Sequence, residues 1–206
     1  MTDETNHLFP DLQAAAKALA ASVLAASSRF KRPMIAAVDG GSGAGKSTLT
    51  RMTAPLIGAS VIHYDDFFDA AVPDEEWDLC PDEQKCRRCM DWIRLRREVL
   101  EPLLNGQPAR YRPYSFETED KLAPESVIIQ PSPVILLDGI YSALPELNDL
   151  LDYKILIQVP DAIRHRRHNE RENSEDIAWH RRWDPSEAYY FAQVRPPSSY
   201  DLVIEL

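Results

Sequence analysis

Apolar residues along this chain fall into short unbroken runs, separated by stretches in which they recur every three to four positions. The runs Met34-Ile35-Ala36-Ala37-Val38, Ser60-Val61-Ile62-His63, Val134-Ile135-Leu136-Leu137, Tyr153 to Val159 and Asp201 to Ile204 read as strands. Continuous aliphatic runs of this kind suit strands covered on both faces. Leu12, Ala16, Leu19, Val23 and Leu24 mark an alanine-rich helix within residues 11–30, an extension that precedes the first strand. A second helix follows that strand, to about residue 58. Met90, Trp92, Ile93, Leu95, Val99, Leu100 and Leu103 predict a helix over 83–104, stopped by Asn105-Gly106. A helix is expected at about 143–151, and residues 161–193 read as helical and arginine-rich. Residues 69–82, acidic and proline-containing, read as a loop, 110–116 as an aromatic and basic loop or edge, and 126–129 as a short strand. Strands alternating with helices imply a single α/β domain over 1–206. Its sheet is expected to be doubly wound, mostly parallel and five-stranded, with helices on both faces and ligands outside the strands' carboxyl ends.

Composition narrows the choice of partner. The formal net charge of −10 argues against a general nucleic-acid binder, whose footprint should be basic. No apolar run approaches a membrane span, and Met1-Thr2-Asp3-Glu4-Thr5 lacks a secretory layout, so a cytoplasmic protein with no membrane partner is expected. Nothing here fixes the oligomeric state; a homo-oligomer is compatible with it. Cys80, Cys86 and Cys89 lie close together; Cys86-Arg87-Arg88-Cys89 is a C-x-x-C, and Cys80 or His63 could complete a zinc set. Without a second ligand pair at recognisable spacing, three reduced thiols are the favoured reading.

The chemistry begins after the first strand. Gly40-Gly41-Ser42-Gly43-Ala44-Gly45-Lys46-Ser47, followed by Thr48, fits G-x-x-x-x-G-K-[ST] without a mismatch. A loop that wraps a triphosphate must turn successive amides inward, which glycine does at least cost. The next helix aims its positive end at the same anion. Lys46 can then reach the β- and γ-phosphates, and the Ser47 hydroxyl can ligand Mg²⁺.

Other strand ends supply carboxylates. Asp65-Asp66 closes the second strand and is followed by Phe67-Phe68. One acid of that pair could accept the proton of an attacking hydroxyl while the aromatics anchor the loop. Asp138 ends a fully apolar strand, where a carboxylate meets Mg²⁺ beside Ser47. Arg164, Arg166, Arg167 and Arg171 recur on successive helical turns and suit a lid, over about 161–183, that closes on the transferred charge. Arg112, Tyr114 and Phe116 could stack on or pair with a flat or anionic acceptor, and Phe67 joins Asp65 and Asp66 as acceptor-site candidates.

Taken together, the phosphate loop, the Asp65-Asp66-Phe67-Phe68 strand end, Asp138-Gly139-Ile140 and the arginine-rich lid resemble the uridine kinase-like group of P-loop kinases. Tyr189 to Pro196 and Tyr200 to Ile204 resemble its closing helix and last strand. The resemblance implies a P-loop NTPase fold and an ATP- and Mg²⁺-dependent kinase acting on a hydroxyl of a small, nucleoside-like metabolite. It implies Asp65 as the base, with Asp66 second, and Arg167 and Arg171 as lid arginines. Pyrimidine nucleoside kinases carry Y-D-F-x-x-H in the acceptor site. Here Tyr114-Ser115-Phe116-Glu117-Thr118-Glu119 lacks that aspartate and histidine. Pantothenate, nicotinamide riboside, a sugar or a phosphosugar therefore stand as alternative acceptors. A regulatory nucleotide-binding ATPase is the alternative of another class.

Overall fold

The computed structural model describes the backbone of residues 6–8 and the whole of residues 11–206. Five strands form where the apolar runs lie. They are β2 (Met34–Asp39), β3 (Ser60–His63), β6 (Val134–Asp138), β7 (Tyr153–Gln158) and β8 (Leu202–Glu205). A short sixth, β1 (Asn6–Leu8), lies outside the expected set and pairs with β8 at the sheet edge. The order is β1-β8-β7-β2-β6-β3, with every described pairing parallel. All six residues of β2 are buried, as a central strand flanked by β6 and β7 requires.

Period-two alternation divides the core. Met34, Ala36, Val38, Val134, Leu136, Ile155 and Ile157 face one layer with α1 (Leu12–Ser27) and α2 (Lys46–Ile57). Asp11 caps α1 by accepting from the Ala14 amide at 2.7 Å, and Ala15, Ala16, Leu19 and Val23 line its buried stripe. Ile35, Ala37, Ile62, Ile135 and Leu137 face the opposite layer, with Trp77, Leu95, Leu100, Tyr141 and Tyr190.

That second layer departs from the expected elements. The proline-containing stretch expected as a loop contains α3 (Asp74–Leu79), whose acidic first turn complements its amide end. The single helix expected over 83–104 is broken after α4 (Asp82–Arg88). The Cys89 carbonyl accepts from the Asp69 amide at 2.8 Å, and the Asp91 amide donates to the Phe67 carbonyl at 2.7 Å. Asp91 then caps a new start, α5 (Trp92–Leu95), by accepting from the Arg94 amide at 2.9 Å. A widened π turn at Arg96–Leu100 follows, and α6 (Glu101–Leu104) completes the rod. The widening sits just ahead of Pro102, which has no amide to donate backward.

The helix expected at 143–151 is only a 3₁₀ turn, Pro145–Leu147, pinned by buried Leu144, Leu147 and Leu151. The short strand at 126–129 exists as β5 (Val127–Ile129). It pairs with β4 (Ala109–Tyr111) in a separate antiparallel hairpin. The arginine-rich stretch folds as α7 (Asp161–Glu172) and α8 (Ile177–Tyr189), joined by a turn in which Asn173 is left-handed. No described helix is long and apolar enough to cross a membrane.

Candidate active site

The phosphate loop crosses from β2 to α2 at the carboxyl edge of the sheet. Gly43 holds φ +78°, and a Cβ there would fall 2.3 Å from the Arg164 carbonyl oxygen, so both backbone sign and space exclude a side chain. The amino end of α2 has no side-chain cap, which leaves its first-turn amides facing outward. Lys46 is buried, its Nζ 3.1 Å from the Gly41 carbonyl, and Ser47 is exposed beside it.

Two lid residues brace this loop. Arg164 donates to the Ser42 carbonyl at 3.0 Å and to Glu187 at 2.8 Å, while Glu187 accepts from the Ser42 amide at 3.2 Å. Burial raises the Glu187 pKa, against the opposing pull of Arg164. Arg167 reaches the Ala44 carbonyl at 3.5 Å. Arg171, one turn on, instead donates to Glu172 at 2.8 Å and lies 3.3 Å from His168 Nδ1.

Beneath the loop lies a carboxylate that the sequence reading passed over. Asp39 is fully buried and accepts from the Gly40, Tyr141 and Ala143 amides at 2.8, 2.9 and 3.2 Å. The Tyr190 and Tyr200 hydroxyls donate to its Oδ2, each at 2.8 Å. Burial raises its pKa, offset in part by these donors. The signal was present: Asp39 ends an apolar strand just as Asp138 does. Glu187 left no comparable trace, since nothing in the helical periodicity marks it as buried.

Opposite the loop, β3 and β6 end level, His63 being paired with Asp138. A 3₁₀ turn, Tyr64–Phe67, then carries Asp65 to the cleft mouth. Its Oδ1 lies 3.0 Å from where a Cβ on Gly139 would sit, so glycine at 139 gives the carboxylate room. Asp65 touches solvent, yet protein crowds it densely enough for desolvation to raise its pKa. Lys46 pulls that pKa down, whereas Asp138 and Asp66 push it up. Asp138 is buried; its Oδ2 lies 3.2 Å from His63 Nδ1, and its Oδ1 has no hydrogen-bond partner. The Asp138 carboxylate holds His63 above the usual imidazole value.

The acceptor-side candidates separate into two groups. Asp66 accepts from the Tyr111 hydroxyl at 2.7 Å and tethers the β4–β5 hairpin. Phe67 is fully buried against Tyr111, with Arg94 over its ring, and belongs to the core rather than the cleft. Arg112 is committed to Asp120 at 2.7 Å and to the Leu122 carbonyl at 3.0 Å, so it braces its own loop. Tyr114 and Phe116, by contrast, join Phe68 and Trp183 in an aromatic wall, with neighbouring rings 5.4–6.2 Å apart. Phe116 is 65% exposed at its rim. The aromatic pair after Asp65-Asp66 is thus split: Phe67 anchors the turn, and Phe68 faces the wall.

The cysteines form no metal set among the described residues. Cys86 and Cys89 are buried thiols whose pKa values burial pushes up, to about 11 for Cys86, and His63 is engaged with Asp138.

Comparison with known proteins bears on the family and the fold. The model of the phosphoribulokinase / uridine kinase family matches residues 35–176. A uridine kinase from Borrelia duttonii is 28% identical over 177 residues, covering 82% of this chain and 85% of its own. One from Limosilactobacillus reuteri is 29% identical over 175 residues, covering 81% and 76%. A solved structure described as a possible uridine kinase from Bacillus stearothermophilus superposes with a TM-score of 0.70 at 19% identity, over 94% of this chain and 98% of that one. Carrying the family's match across its phosphate loop, strand-end acids and first lid helix, the chain belongs to the phosphoribulokinase / uridine kinase family and is a small-molecule kinase.

Proposed function

We propose that the protein transfers the γ-phosphate of ATP, with Mg²⁺, to a hydroxyl of a small nucleoside-like acceptor. The observation that carries this reading is the position of Asp65, against Gly139 and within electrostatic reach of both Lys46 and Asp138. A carboxylate there can orient an alcohol and take its proton as the oxygen attacks. The loop amides from Gly40 to Thr48 and the Lys46 ammonium bind the donor's phosphates, Arg167 covers them from the lid, and Arg171 would join it only on leaving Glu172. Mg²⁺ suits the exposed Ser47 hydroxyl together with Asp138, whose buried Oδ1 lacks a partner. When bound, it neutralises charge on the β- and γ-oxygens.

The acceptor site is apolar on one side and acidic on the other. Tyr114 and Phe116 offer faces on which a flat ring stacks, while Asp65 addresses a hydroxyl. The names of the curated relatives make uridine the first acceptor to try. Ser115 and Glu119, where pyrimidine nucleoside kinases have aspartate and histidine, keep the other nucleosides, pantothenate and sugars in the same panel. The test is a panel of these acceptors with ATP and Mg²⁺, read by product mass. A phosphorylated nucleoside formed by the native protein and not by Lys46→Ala supports the proposal. A phosphorylated non-nucleoside alone transfers it to another acceptor class, and ADP formed at one slow rate with every acceptor sinks it.

A further inference from the structure

The lid carries a second cluster that phosphoryl transfer does not use. His165 on α7 faces His180 and Asp184, one turn apart on α8. His165 Nε2 lies 3.1 Å, and His180 Nδ1 3.0 Å, from the same Asp184 oxygen, Oδ2. One ligand atom from each residue fits within a span of 4.8 Å. Around a tetrahedral ion with bonds of about 2.0–2.1 Å, ligand atoms sit roughly 3.3 Å apart. The two distances to Asp184 are within a few tenths of an ångström of that spacing, and each imidazole brings a ring nitrogen within the 4.8 Å span.

Two features separate this cluster from an ordinary set of surface ion pairs. His165 Nε2 and Asp184 Oδ1 are buried yet have no hydrogen-bond partner, and within the trio the one hydrogen bond is that between His180 Nδ1 and Asp184 Oδ2. His180 Nε2 lies 2.9 Å from Asn169 Oδ1. Donation from Nε2 to that carbonyl leaves Nδ1 to face Asp184. Without an ion, a proton on Nδ1 bridges it to Asp184 Oδ2. A cation that displaces this proton would take the Nδ1 lone pair, the outer-shell arrangement that prepares a histidine to ligate. Behind His180, His168 stacks on Trp179 at 4.0 Å and closes the apolar side. The His165 and Asp184 side chains remain part-exposed, which leaves a path for an ion and a water as fourth ligand.

We propose that His165, His180 and Asp184 bind one divalent cation of the zinc class, stapling α7 to α8. Two imidazoles and one carboxylate suit zinc and its first-row neighbours, whereas Mg²⁺ and Ca²⁺ prefer oxygen ligands throughout. The site is distinct from the Ser47–Asp138 position. Its occupancy would fix the helix pair that sets Arg164, Arg167 and Glu187 against the phosphate loop.

The experiment uses the full chain, stripped with chelator and free of nucleotide. Zn²⁺ is titrated calorimetrically, and Co²⁺ is followed by its tetrahedral ligand-field bands. The native protein should take up one equivalent. His180→Ala and the conservative Asp184→Asn should each weaken binding more than about 100-fold, and Asn169→Ala by about 10- to 100-fold. Cys80→Ser and Asp138→Asn should bind as the native protein does. Zn²⁺ should raise the melting temperature of the native chain and leave that of His180→Ala unmoved, which separates loss of the site from loss of the fold. No saturable uptake, uptake untouched by His180→Ala and Asp184→Asn, or uptake abolished by Cys80→Ser or Asp138→Asn would each overturn the proposal.

Discussion

Replacing Asp39 by asparagine removes one acceptor oxygen from a site where five donors converge. The magnitude follows from how the amide can sit. With its oxygen towards Gly40 and Tyr141, those two amides, at 2.8 and 2.9 Å, keep their acceptor. The new NH₂ then meets the Tyr190 and Tyr200 hydroxyls, which can accept instead of donate, and the Ala143 amide, which cannot. One orphaned buried N–H costs about 1–3 kcal/mol. Exchanging charge-assisted bonds for neutral ones adds about 1 kcal/mol, offset by removing a charge that burial already disfavours. A net loss of about 1–3 kcal/mol is expected. Asp39→Ala strips the acceptor from all five donors and opens a cavity, so its loss should exceed about 4 kcal/mol. Equilibrium urea unfolding, followed by tryptophan fluorescence without ligand, measures both, provided the slopes match. An Asp39→Asn protein within about 0.5 kcal/mol of the parent would refute the argument, because an ordinary surface change does no more.

Further expectations concern turnover. Asp65→Asn should lower kcat by about 10²- to 10⁴-fold with ATP affinity nearly unchanged, whereas Asp66→Asn, whose partner Tyr111 tolerates an amide, should keep most of the activity; equal losses in steady-state kinetics would reverse the assignment. Because burial raises Asp65, and a base works only when deprotonated, activity should fall on the acid side at a pH above the ordinary aspartate value of 3.8. Asp66→Asn removes one of the charges raising that value and should move the acid limb downward in a pH–rate profile. Gly43→Ala should weaken ATP binding at least 10-fold by calorimetry, since its Cβ cannot fit against the Arg164 carbonyl without shifting the loop.

Much of this site was legible because strands and phosphate loops are written locally. The unbroken apolar runs located all five expected strands, and G-x-x-x-x-G-K-S located the loop with its lysine. The misreadings came where tertiary packing decides. Nothing local separates Phe67, turned into the core, from Phe68, turned to the aromatic wall, because a 3₁₀ turn sets their directions. Arg112 looked free for a ligand, but a loop folded back on itself supplies Asp120 and the Leu122 carbonyl. The break at Cys89 is invisible to periodicity, since it is made by hydrogen bonds to Asp69 and Phe67, far off in sequence. Glu187 became a loop brace only through the approach of α8, which no window around it encodes.

The strand order also bears on how the protein is made. Met34 pairs with Val134, so the central strand leaves the ribosome about 100 residues before the first of its two neighbours. At about 5–20 residues per second, that strand waits roughly 5–20 s with its backbone groups unmet and its apolar side chains uncovered. Nucleotide capture cannot assist the early chain, because the sheet edge that presents the loop does not yet exist. The nascent polypeptide should therefore depend on chaperone shielding through the middle of translation and become protease-resistant only near its completion.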